Sequence, residues 1–143
     1  MLKQIKKLNQ KQLEKKWYKT HWLFDLHSTL IKPHTEKIEW YPFAKECLQL
    51  LTLRDDINLV LWTSAYHKDL IEFLNECEAN HIHFNYVNEN PATDKNNYYG
   101  DFTSKFYFDL IFEDKAEFEP EEWEEIYLYL CSEEFIEPLF TWQ

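Results

Sequence analysis

Glycine is almost missing: Gly100 is the only one among 143 residues. Dinucleotide-binding turns and P-loops need several glycines where the backbone closes on a phosphate, so both are excluded. Cysteine is sparse and odd in number, at positions 47, 77 and 131, with no pair at a metal-binding spacing. Neither a zinc site nor a disulfide framework follows, and reduced, buried thiols are expected, two of them inside helices. No apolar run approaches the roughly 20 residues that a bilayer span requires, and no signal-like segment opens the chain. A soluble cytoplasmic protein without a membrane partner is the expectation. Positive charge is scarce beyond the first 19 residues, which hold seven lysines and one glutamate, a local +6. The remaining 124 residues therefore carry −17 of the net −11, too negative a surface for extended contact with nucleic-acid phosphates.

Apolar and aromatic residues are abundant, at 45% and 18%, and the length suits one domain with a sizeable core. The chain divides into a basic segment over residues 1–19 and an α/β domain over residues 20–143. In the first, Leu2, Ile5, Leu8, Leu13 and Trp17 recur at about helical spacing, so an amphipathic helix docked on the acidic body is expected. In the second, three apolar runs end in polar groups. Trp22-Leu23-Phe24 delivers Asp25, followed by His27, Ser28 and Thr29; Asn58 to Trp62 delivers Thr63 and Ser64; Phe108 to Phe112 delivers Glu113 and Asp114. If the strands are parallel, these ends meet on one rim, where open α/β sheets place their chemistry, and Lys105 arrives from the preceding segment. A nucleophilic carboxylate, a hydroxyl, a lysine and an acidic pair suit phosphoryl transfer through an aspartyl-phosphate, with Mg²⁺ among the acids.

In these four places the chain resembles the haloacid dehalogenase (HAD) superfamily, most of whose members are Mg²⁺-dependent phosphatases. Phe24 to Thr29 looks like its first motif, Leu61-Trp62-Thr63-Ser64 the second, Lys105 the third and Glu113-Asp114 the fourth. Val87-Asn88-Glu89-Asn90-Pro91 and Ser104 to Leu110 are similar to a group of small bacterial or phage members, and the likeness spans about Thr20 to Ile126. The resemblance implies a three-layer, Rossmann-like parallel sheet without a large cap domain. It implies that Asp25 is the nucleophile, that Thr63 and Lys105 hold phosphoryl oxygens, and that Asp25, the His27 carbonyl, Glu113 and Asp114 serve Mg²⁺. Asp114 is expected as the direct acidic ligand, with Glu113 acting through water or orienting Lys105. Superfamily phosphatases usually carry a second Asp two residues after the nucleophile, and this chain has His27. The imidazole is the candidate acid/base, and the alternative is a catalytically silent scaffold that binds phosphate or a protein.

The rest of the chain frames the site. Residues 31–41 read as a short flap crossing the rim, carrying His34 as a solvated loop histidine. So open a site implies a large substrate or help from a partner subunit. A phosphorylated small molecule is the expected partner, with a macromolecular phosphosubstrate or a homo-oligomer as further readings. Pro42 is expected in the first turn of a helix, Ser64 as the cap of the next, and Ile82 to Val87 as a third strand. Asp109, about 13 Å from Glu113 along an extended strand, is set aside as a site residue. Tyr98, Tyr99 and Phe102 follow a long loop; core packing is expected of them, with stacking on a substrate base or sugar as the alternative. Pro120 opens a last helix with Trp123, Ile126, Tyr127 and Leu130 on its apolar stripe, and Phe135, Ile136, Leu139, Phe140 and Trp142 close the core or form a subunit contact.

Overall fold

The computed structural model describes residues 1–91 and 107–135. Four parallel strands form one sheet: β1 (Thr20–Phe24), β2 (Ile57–Leu61), β3 (Tyr86–Val87) and β4 (Leu110–Phe112), in the order β3-β2-β1-β4. The helices are α1 (Leu2–Lys15), α2 (Ala44–Thr52), α3 (His67–Ala79) and α4 (Trp123–Leu130). Period-two alternation puts Trp22, Phe24, Leu59, Leu61, Leu110 and Phe112 on one face, where they share a core with Cys47 and Leu48 of α2, Phe73 of α3 and Trp123 of α4. Rings of Phe24, Phe112 and Trp123 stack through it, with centroids 4.6 Å apart for the first pair and 5.2 Å for the second. The other face presents the row Val60, Leu23 and Ile111. The described helices supply one layer against the sheet, and no large cap is present among the described residues.

The basic segment is a helix that shares this core, with Ile5 fully buried and Leu8 nearly so. Buried Gln12 donates to Asp56, whose carboxylate also receives two bonds from Arg54 at 2.7 and 2.8 Å. That buried carboxylate is thereby satisfied, and it fixes the end of α1 beside the start of β2. Several boundaries differ from the sequence reading. Trp62 lies just past its strand rather than in it. Pro42 lies outside α2: Tyr41 to Ala44 form a turn closed by Ala44 N donating to Tyr41 O, with Pro42 at its second position and Phe43 at φ 70°. Ile82 and Phe84 are buried but not in β3, because Asn85 takes the Leu59 N–H with its side chain at 2.8 Å in place of a ladder carbonyl. Asp109 does the same ahead of β4, accepting from His21 N at 2.7 Å. The last helix begins with a 3₁₀ turn at Pro120–Glu122 before α4 takes over. Tyr129 rather than Tyr127 joins its buried stripe.

Cys47 and Cys77 are buried thiols as expected, burial pushing the Cys47 pKa well above the ordinary thiol value and the Cys77 pKa up to about 12. Cys131 departs from the expectation. It follows the end of α4 on the exposed side of the helix.

Candidate functional site

The rim is built by extending the sheet one residue past each strand. Asp25 N donates to Phe112 O at 2.9 Å, and Trp62 N donates to Phe24 O at 2.9 Å. These bonds hold the residues after β1, β2 and β4 in register, so Asp25 is carried next to Glu113 and Asp114 with Thr63 alongside. One carboxylate oxygen from each of Asp25, Glu113 and Asp114 lies within 4.8 Å of the others. Asp25 and Glu113 are half-buried and Asp114 is exposed. Three hard oxygen donors of like charge at this separation fit a divalent cation.

Burial raises the Asp25 pKa above the ordinary carboxylate value; a hydrogen bond from Leu26 N opposes that, the Glu113 and Asp114 charges add to the rise, and His27 works against it. In the absence of a cation the three acids therefore repel one another. The loop that follows Asp25 is locked from beneath. Leu26 and Leu30 are fully buried, Leu30 N and Ile31 N both donate to Leu26 O, and Trp123 Nε1 donates to Thr29 O at 2.8 Å. Ser28 takes a positive φ of 63° to make the turn.

Asp25 and Glu113 line a cavity of about 360 Å³ with Thr63, Ser64, Trp62, Phe108 and Ile111. Thr63 is held on both sides: its N–H donates to Asn88 Oδ1 at 2.8 Å, and its Oγ1 accepts from Ala65 N at 3.1 Å. Asn88, with φ 54°, is a rim residue whose part in the site sequence reasoning missed; its place after a short strand and its tolerance of the left-handed region are the available signals. The expected capping by Ser64 is not found. α3 begins at His67 with Tyr66 at the N-cap and no side-chain cap, so Ser64 stands too far upstream to reach the helix amides.

His27 lies on the neighbouring groove, of about 480 Å³, between the 31–40 strap and the start of α3. The strap is an ordered hairpin-like turn: Ile31 bridges Trp40 in antiparallel sense, and Lys32 Nζ meets Glu39 at 2.8 Å. His34 sits at its exposed tip. Asp109 is held away from the rim by His21 N and by Tyr107 OH, at 2.9 Å. Lys105, the polar run to Asn97, Tyr98, Tyr99, Phe102, and Ile136 through Trp142 lie outside the described residues.

Fold and site together define a small Rossmannoid α/β domain with a carboxylate cluster at the carboxyl end of its parallel sheet. No family model matches the chain, and no curated protein does. Among solved structures, a conserved protein from Bacteroides thetaiotaomicron is similar to it, with 27% identity and a TM-score of 0.58 over 76% of this chain and 87% of that one. That likeness supports the architecture and names no reaction. Among the described residues, no helix is long and apolar enough to cross a membrane.

Proposed function

We propose that the chain is a HAD-like, Mg²⁺-dependent phosphate-monoester hydrolase with Asp25 as its nucleophile. The observation that carries this reading is the convergence of the Asp25, Glu113 and Asp114 carboxylates within 4.8 Å beside a cavity that Thr63 also lines. Asp25 attacks phosphorus, the ester P–O bond breaks, and the leaving oxygen takes a proton from the His27 imidazole. Water then attacks the acyl-phosphate, giving its proton to His27 and releasing inorganic phosphate and free Asp25. Thr63 and Lys105 neutralise and orient the phosphoryl oxygens. Asp25, Asp114 and the His27 carbonyl would hold Mg²⁺, with Glu113 bound through water, and the cation would offset the charge gathered on the phosphoryl group. The substrate class favoured is a phosphorylated small molecule reached through an open rim, with a macromolecular phosphosubstrate as the other fit to so short a strap.

One observation favours a second reading. The residue two positions after Asp25 is His27, and it lines the adjoining groove and not the cavity that Asp25 lines. A phosphate-binding scaffold without turnover fits that placement. Phosphate release from an aryl phosphate and a metabolite panel, with and without Mg²⁺, separates the two. The hydrolase reading expects Mg²⁺-dependent release by the wild type, abolition in D25N, and a fall of about 10² to 10⁴ in H27A with metal affinity kept. Inactive wild type and H27A alongside an active H27D would establish the silent scaffold instead.

A further inference from the structure

The outer face of α1 carries charge that its own fold does not use. Lys3 and Lys7, one turn apart and flanked by Lys6 and Lys11, point away from buried Ile5, Leu8 and Gln12, and all four are exposed. Of these, only Lys6 approaches a carboxylate among the described residues, Glu134 at 4.0 Å. Glu14, the acid on the same surface, is engaged by Gln10 at 2.9 Å. Like charges one turn apart weaken a helix, and Lys3 stands in a first turn that has no acidic residue, where the helix dipole disfavours a cation. Local physics alone would not select this stripe.

The neighbouring helix presents the opposite sign. On α4, Glu124 and Glu125 are exposed on either side of Leu128, which is 63% exposed, and Glu121 extends the acidic surface one turn earlier. The two helices are in contact, and they are tied together where the Met1 amino group meets Glu122 at 2.8 Å and Lys6 meets Glu134. A basic stripe and an acidic stripe with an exposed leucine thus stand on two helices packed against one another. A membrane is a poor occupant, because the apolar side of α1 is already spent in the core. A nucleic acid drawn to the lysines would meet the glutamates beside them.

We infer that this face binds a second copy of the chain. A twofold axis lying in the plane of this face, between the two helices, sets α1 of one copy against α4 of the other and repeats the contact in reverse, which is the self-complementarity an isologous interface requires. The exposed Leu128 of each copy then packs against the aliphatic stems of the partner's lysines. Two short helices per copy make a small interface, so the dimer is reversible and concentration-dependent.

Sedimentation velocity over a concentration series tests this with charge-reversed chains, all altered at exposed positions and checked for folding by circular dichroism. The wild type is expected to dimerise as concentration rises, whereas K3E/K7E/K11E and E121K/E124K/E125K each remain monomeric. An equimolar mixture of those two variants re-forms a dimer, and so does the chain carrying all six reversals. General charge repulsion predicts otherwise, since E121K/E124K/E125K brings the net charge from −11 to −5 and should associate more readily than the wild type. A wild type that stays monomeric throughout, a dimer that survives either single-sign variant, or a failure of the mixture to associate would overturn the proposal. Monomeric wild type that binds a duplex DNA oligomer and loses it in K3E/K7E/K11E would assign the stripe to a polyanion.

Discussion

At the scale of single residues, two half-buried titrations point in opposite directions and each has a stability consequence. Asp25 is held above the ordinary carboxylate pKa chiefly by burial. Its folded state therefore binds a proton more readily than the unfolded chain, and ionised Asp25 costs stability at neutral pH. D25N should raise the melting temperature of the metal-free protein at pH 7, and that gain should vanish as pH falls through the elevated Asp25 pKa. The same substitution should weaken Mg²⁺ binding by at least the 10-fold to 100-fold typical of losing even an outer partner of a metal, while D109N should leave it unchanged; calorimetry reads both. His21 behaves inversely, with its pKa pushed down to about 4 by burial and then by Lys19. Stability is fully present above the ordinary histidine pKa of 6.5 and is lost as pH falls from there toward about 4, by up to about 3 kcal/mol. The denaturant midpoint of the wild type should therefore fall relative to that of H21Q over that window, the comparison cancelling the raised carboxyl of Asp109 that both share.

At the scale of elements, periodicity made most of the helices and strand cores legible, and side-chain substitution for backbone made the ends illegible. Ile5 and Leu8 in α1 and Trp123 and Ile126 in α4 bury as their spacing requires. Buried Asn9 and Gln12 in α1 do not follow from an apolar stripe; they are buried because Gln12 meets Asp56 and Asn9 lies against Glu134 O. Asn85 and Asp109 shorten β3 and β4 by accepting N–H groups that a longer strand would have bonded with carbonyls. A sequence pattern records an Asn or Asp near a strand end, but which neighbouring amide it takes depends on the register. I5A should cost about 2–5 kcal/mol, the range for emptying a filled core site, and should leave Mg²⁺ affinity intact. If chemical denaturation shows I5A as stable as wild type, α1 is not docked in solution as the core packing requires.

At the scale of the molecule, ligand, charge and fold are linked through the rim. A cation that binds only the folded chain should stabilise it by about 2.7 kcal/mol at a concentration 100 times its dissociation constant. Thermal unfolding should therefore shift upward with Mg²⁺ in the wild type and stay flat in D114N; a wild type indifferent to Mg²⁺ would remove the metal from the site. What the sequence determined by itself is the order of polar groups behind apolar runs: Asp25, Thr63 and the Glu113–Asp114 pair each end a segment too apolar to stay in water. It also set the α/β alternation, since hydrophobic burial is read directly from spacing. Tertiary structure alone decided the distances. Parallel pairing of β1 with both β2 and β4, continued by Asp25 N to Phe112 O and Trp62 N to Phe24 O, is what gathers three carboxylates within 4.8 Å. It likewise decided that His27 lines the groove, that Thr63 rather than Ser64 makes the turn into α3, and that α1 packs against α4. Composition fixes how many charges there are, but only the register of strands and the packing of helices sets which ones meet, because electrostatic energy depends on separation and burial.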